Sequence, residues 1–308
     1  MTALSDAIER DPSLPDPAAP LSPSGNLRRR GVVSRVVEVG AWVAALFAVA
    51  LLVLVVYTVV RNGLAALSLN FLFTNPVGLG GGGIFNALLG SAVIVAFAAL
   101  IAVPVGVLTG IYLTEFAGPR SGAARALKLV LDLLQGLPTI IVGVVVYGLL
   151  VATTHVETGF AASIALAIVM LPLIARSSQE VLLVVPGSLR EAADALGVDR
   201  WRTVLGVILP VAIGGIATGA ILSIARAAGE TAPLLFVDSL YNPSQTQLDL
   251  FGHGVPNIPI YIWTTYDLPT ANAITNVWGA ALVLLTFILL ANVAARVLLA
   301  RTRAKMRG

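Results

Sequence analysis

The chain has 308 residues, 57% hydrophobic and only 11% charged, under half the charged share of an ordinary soluble domain, about 25%. With a mean hydropathy of +0.93, this excludes a water-soluble fold, whose few polar residues could not cover its apolar surface. The absence of cysteine excludes a disulfide framework and a thiolate metal site.

The net charge is +3 and the pI is about 9.5. Basic balance can point to nucleic acid, but in so apolar a chain the basic residues read as topology determinants. Only two histidines occur, His155 and His253, too far apart in the chain to suggest a multi-histidine metal centre. No metal or cofactor site is expected in this chain.

Residues 1–38 are polar, with Pro, Ser, Asp and Arg, and lack the apolar run and cleavage site of a secretory signal. They read as a disordered cytoplasmic tail. Residues 39–300 form the transmembrane domain, and residues 301–308 a basic cytoplasmic C-terminus.

A helix needs about 20 apolar residues to cross a bilayer. Six candidate spans follow along the chain. The first is 40–60, free of charge. The second, 85–113, is expected to break at Pro104 beside Gly106. The third, 129–151, carries Asp132 and Gln135 near its start, where a partner or snorkelling accounts for them, and is expected to kink at Pro138 and Thr139. The fourth, 160–175, is short. The fifth, 209–237, is interrupted by Arg226, Gly229, Glu230 and Pro233. The sixth is 275–295. The fold class is therefore all-α and polytopic.

The basic residues fix an expected orientation. With the N-terminus inside, 17 of the 19 Lys and Arg residues fall on the cytoplasmic side, as the positive-inside bias requires. Arg61 and Arg226 are the exceptions. Both termini are then cytoplasmic. The outer segments are 62–83, ending in the flexible run Gly80 to Gly83, and 238–274. The latter has no basic residue and holds Tyr241, Phe251, Tyr261, Trp263 and Tyr266 among four prolines. It reads as an interfacial aromatic loop, or as a gate or docking face. His155 and Glu157 read as a solvated outer turn, and His253 receives no role.

The inner loop, residues 187–210, has the pattern of a helix, a turn and a return. Pro186 stops the preceding helix. Ser188 is the expected N-cap, with Glu191 at capping-box spacing. Ala192, Ala193 and Ala195 allow close approach by another protein. Gly197 permits a sharp turn. Leu209 and Pro210 start the next membrane helix, with Pro tolerated in a first turn.

In the fifth span, Arg226 and Glu230 are four residues apart, on one helix face. A charge in mid-bilayer costs about 2.5–3.5 kcal/mol on insertion scales, so the two face protein or water. One reading is a mutual salt bridge that neutralises both. The other is an anion site, because Arg presents a planar fork of donors suited to oxyanions.

These residues carry a family resemblance. Glu191-Ala192-Ala193, Gly197, Val207, Leu209 and Pro210 resemble the signature of bacterial ABC-importer permeases, with Val207 where Ile is usual. The run from Arg226 to Pro233, R-A-A-G-E-T-A-P, resembles a segment of the phosphate-importer permeases of the binding-protein-dependent inner-membrane family. So do G-I-Y-L-T-E from Gly110 to Glu115 and the run from Gly136 to Tyr147, with Thr139 for Ser. The Ala/Val/Arg-rich usage is similar to actinobacterial members. The short chain, lacking a large outer insertion, resembles one of the two paralogous permease subunits.

The resemblance implies a coupling role for Glu191, Ala192, Ala193, Gly197, Leu209 and Pro210, and a transport role for Arg226 and Glu230. It implies four partners: a second permease subunit, an ATPase dimer, a phosphate-binding protein outside, and inorganic phosphate as cargo. Membrane lipids surround the chain. No Walker A pattern occurs, so ATP and Mg²⁺ are expected on the ATPase. The alternatives are another oxyanion cargo, sulfate or molybdate, and an ion-coupled secondary transporter. The last would leave the inner loop unexplained and shows no inverted repeat.

Overall fold

The computed structural model describes residues 25–305 except 79, 119, 240, 241 and 243. Most of the tail reading, the last three residues, Tyr241 and Pro243 lie outside the described residues.

Among the described residues the regular structure is helical apart from one small hairpin. Helix α1 is Gly25–Gly63. Contacts divide the chain into two units within α1, after Thr58. Within the first unit α1 is one unbroken helix, apolar after Glu38, with residues 29–58 largely exposed, as suits a surface wetted by lipid. The second unit starts with the end of α1 and a short helix α2, Leu69–Phe73, capped by Ser68 Oγ on Phe71 N. Strands β1, Pro76–Val77, and β2, Gly81–Gly82, then pair antiparallel. The glycine run expected to be flexible is thus an ordered hairpin. Gly80 and Gly82 have positive φ, which glycine adopts without strain.

Helix α3, Phe85–Ile111, runs on into a π turn at Tyr112–Phe116. Pro104 does not break α3, contrary to the sequence expectation. Missing one N–H is tolerable because α3 is clamped along its length by α6, Gly159–Val184. Small residues make that clamp. A Cβ on Gly106 would lie 2.8 Å from Ile174 Cγ2, and one on Gly110 2.8 Å from Ser178 Cβ. Close backbone approach through small residues is the usual packing device between membrane helices. The main core follows the same pair, with Ala98, Ala102, Ala162 and Ala165 beside Ile94, Leu166, Met170 and Ile174.

The third crossing is a broken one. Helix α4, Gly122–Gly136, and α5, Thr139–Val146, meet at 104° and pass the length and apolarity requirements for a span only together. Leu137 and Pro138 are both extended between them, because the proline ring disfavours α geometry in its predecessor. A π turn, Tyr147–Val151, follows α5, and the last turn ends at His155 with φ 57°.

The fourth crossing is longer than the charge pattern indicated. Arg176 within α6 did not end the helix, because it pairs with Asp132 of α4. The elbow comes next: α7, Gly187–Ala195, a turn, then α8, Arg200–Thr203. A π turn at Val204–Ile208 joins α8 to α9, Leu209–Ala227. The fifth span is therefore one helix from Arg200 to Ala227, and it does not begin at Leu209. Its expected continuation to residue 237 is interrupted after Ala227, and only the short α10, Leu234–Val237, follows. Helix α11, Ile258–Tyr266, capped by Asn257, and α12, Ala271–Lys305, complete the chain. Among the described residues, five helices are long and apolar enough to cross a membrane, or six where the bent pair is one span.

Candidate functional site

The charge pair sits where α9 ends. Arg226 is in the last turn of α9, and Glu230 lies beyond it, because the helix gives way at Ala228 and Gly229. Arg226 Nε lies 3.8 Å from Glu230 Oε1, longer than a hydrogen bond. The two side chains differ sharply in exposure, 63% for Arg226 and 17% for Glu230. Glu230 is held from behind: Thr139 Oγ1 donates to Glu230 Oε2 at 3.3 Å. The guanidinium thus projects from the fold with most of its donors open, beside a tethered carboxylate. This arrangement suits an incoming oxyanion, which Arg binds through parallel N–H donors.

Two broken spans support the pair. Thr139 opens α5 just after the 104° bend, and Glu230 stands in the break after α9. The break after α9 packs directly on α5. A Cβ on Gly143 would lie 2.7 Å from both Cα and the carbonyl oxygen of Pro233. Backbone freed from helical bonding is tolerated at membrane depth where it lines a cavity or packs in protein.

The elbow residues lie at the far end of α9. Counting from Arg200, Arg226 is about 39 Å along the axis at 1.5 Å per residue. Glu191 and Ala192 are exposed, while Ala193 is buried against the elbow's own core. Gly197 has φ +69°. Its N–H bonds to Asp194 O at 3.0 Å, and Val198 N–H bonds to Ala193 O at 3.1 Å. That pair of bonds is the Schellman C-cap, and it turns the chain back toward the membrane. Leu209 is half-buried and Pro210 exposed in the neck of the elbow. The proposed capping box is absent: Pro186 occupies the N-cap, and Ser188 lies inside α7. The fixed φ of Pro186 starts the helix two residues earlier than expected. At the tip, Leu196 is 82% exposed and Trp201 54%.

Sequence reasoning missed a cluster under the elbow. The Glu115 side chain is fully buried at the end of the α3 π turn. It receives Arg190 Nη2 at 2.6 Å, Arg190 Nε at 3.2 Å and Arg200 Nη2 at 3.4 Å. Hydrogen bonding to that carboxylate raises the Arg190 pKa above its usual value, against a smaller lowering by burial. The available signal was an acid ending an apolar span, with arginines on both limbs of the elbow.

A second missed residue is Asp238, fully buried after α10. Its Oδ1 accepts Val255 N at 2.7 Å and its Oδ2 accepts Asn257 Nδ2 at 3.0 Å. Burial pushes its pKa well up; the two hydrogen bonds oppose this, and nearby Glu157 adds to it. Glu157 is not the solvated loop residue expected. It accepts Ser239 N at 2.5 Å and Ser239 Oγ at 3.1 Å. His155 and His253 share a polar cup of about 400 Å³ with Glu157, Asn242 and Gln247.

Residues 102–304 match the family described as binding-protein-dependent transport system inner membrane component. A phosphate transport system permease protein PstA of Yersinia pestis is 35% identical, covering 88% of this chain and 91% of the relative. PstA 1 of Mycobacterium tuberculosis strain H37Rv is 39% identical, covering 70% and 68%. Among solved structures, a chain of the MetNI methionine ABC transporter aligns with TM-score 0.54 at 22% identity, covering 71% of this chain and 94% of that one. A chain of a bacterial ABC transporter that imports alginate aligns at 0.53 and 15%, covering 87% and 98%. The structural likenesses are to the fold alone. Five to six apolar spans among the described residues, with a family match across two thirds of the sequence, make this a multi-pass membrane protein that belongs to the binding-protein-dependent transport system inner membrane component family.

Proposed function

We propose that this chain is a permease subunit of an ATP-driven phosphate importer, with Arg226 and Glu230 on the translocation path. The observation that carries the cargo is the open guanidinium of Arg226 beside a Glu230 carboxylate already engaged by Thr139. The names of the relatives, phosphate permeases at 33–39% identity, agree with it. An exposed guanidinium is costly toward lipid, so its open side belongs to a path completed by a second permease subunit. A phosphate oxyanion entering there replaces the weak contact to Glu230 by parallel charge-assisted bonds.

The elbow is the docking element for an ATPase dimer. Its apolar tip, Leu196 and Trp201, is exposed on a segment too polar to sit in lipid. Glu191, Ala192 and Ala193 form the helix that enters the ATPase. Gly197 gives the turn, and Leu209 and Pro210 join it to the span. ATP and Mg²⁺ belong to that partner, which performs the hydrolysis. Both termini and the elbow lie in the cytoplasm, and a phosphate-binding protein delivers cargo to the opposite face.

The test is reconstitution. The chain is placed in liposomes with its second permease, ATPase and binding protein, and uptake of labelled phosphate is followed. ATP-dependent uptake resisting excess sulfate and molybdate supports the reading. Preferential uptake of either competitor reassigns the cargo, and equal uptake without ATP removes the ATP-driven mechanism.

A further inference from the structure

The residues beneath the elbow do more than fill space. Three membrane crossings end within reach of one carboxylate. Glu115 closes the α3 π turn, and its side chain is shut off from solvent. Arg190, on the first limb of the elbow, grips that carboxylate through Nε and Nη2. The same guanidinium donates to Leu182 O at 2.9 Å and Val185 O at 2.8 Å, carbonyls at the C-terminal end of α6, where Leu182 O also accepts Val185 N at 3.3 Å. Arg200, on the second limb, donates from Nε to the Glu115 backbone oxygen at 3.1 Å and from Nη2 to its carboxylate. Arg200 also begins the continuous helix that ends at Arg226 and the charge pair.

We propose that Glu115 is the positioning residue that passes movement of the elbow to the membrane helices. It bonds both limbs of the elbow, and through them it meets the ends of α3 and α6 and the start of the fifth span. The clamp is stiff for a physical reason. A fully buried carboxylate cannot exchange its close guanidinium partner, Arg190, for water, and without that partner its charge would be poorly compensated. Displacement of α7 therefore carries the end of α3 with it, and displacement of α8 is applied to the helix bearing Arg226. Neutral packing would let the limbs slide; the shared charge keeps them in register. Glu115 touches neither cargo nor nucleotide in this scheme, so its effect is felt as coupling.

The proposal rests on the elbow docking an ATPase, and its deciding readout, hydrogen exchange, does not depend on the cargo. The assembled complex, carrying Glu115→Gln in this chain, is compared with the unaltered complex by hydrogen exchange, with and without a non-hydrolysable ATP analogue. In the unaltered complex, the nucleotide should change exchange both in α7 and in the segment from Gly110 to Ala117. In Glu115→Gln, α7 should still respond while the 110–117 segment should not, and transported ions per ATP should fall at least about tenfold, equivalent to ~1.4 kcal/mol of coupling. An unchanged response in the 110–117 segment of the variant overturns the proposal. Should Glu115→Gln fail to assemble, Arg200→Gln decides, because Arg200 is about 40% exposed and its loss leaves Arg190 in place. A graded loss of the same exchange response supports the joint, and no loss refutes it. An unaltered complex that shows the exchange response but moves no phosphate would refute the cargo assignment and leave the joint standing.

Discussion

Thr139 Oγ1 donates to Glu230 Oε2 across 3.3 Å, and so ties the bend of one broken span to the break in another. The hydroxyl fixes the carboxylate, and the fixed carboxylate leaves Arg226 only a loose partner at 3.8 Å. Thr139→Val keeps the shape and removes the donor. A hydrogen bond to a charged group contributes about 1.5–3 kcal/mol. The expected result is roughly a tenfold or greater fall in uptake by reconstituted complex, with normal yield of the assembled complex. Unchanged uptake would separate Glu230 positioning from transport.

Arg226→Ala should abolish measurable uptake while the complex still assembles, because the side chain is exposed and supports no packing. Arg226→Lys keeps the charge and loses the planar fork. Partial activity, about a tenth of the original, is expected from the lysine variant. Full activity in the alanine variant would take the pair off the path. Uptake of labelled phosphate at matched protein levels measures both.

Gly197→Val tests the elbow without touching its charges. A side chain at φ +69° costs about 1–2 kcal/mol, and valine is stiffer than most. A Cβ there meets nothing within 4 Å, so the strain is in the backbone alone. The expected outcomes are weaker co-purification of the ATPase and fewer ions moved per ATP. Intact coupling would count against this turn as the docking element.

Asp238 gives a pH dependence with a definite sign. Its native pKa is raised above the unfolded value, chiefly by burial. The native state therefore binds its proton more tightly, and the stability this contributes is complete below the unfolded pKa. It is lost as pH rises through the native pKa. Thermal unfolding in detergent should show Tm falling with rising pH over that window. Asp238→Asn cannot titrate and should flatten that component. An identical pH profile in the two proteins would refute the assignment.

The membrane character, the apolar stretches and the helix–turn pattern of the elbow were legible in the sequence because each is local. Apolar length, the spacing from Glu191 to Pro210 and the glycine at 197 need no knowledge of neighbours. The resemblance read from those motifs agrees with the relatives now found. Span ends were less legible, because charges that look terminal can be paired across helices. Arg176 stayed within α6 through its bond to Asp132. Pro104 stayed within α3 because of the packing of α6. The clamp on Glu115 was out of reach for the same reason: its members are separated by 75 and 85 residues, and only the fold brings them together. The spacing placed Arg226 and Glu230 near one another, but their unequal exposure was not visible, since it follows from the helix ending between them.

Gly143 and Pro233 meet main chain against main chain. A side chain placed between two moving parts acts as a cushion, because it can change rotamer and absorb a small shift. Here there is none. A nudge that moves the break after α9 reaches α5 undiminished, and a single added methyl group would wedge the two apart.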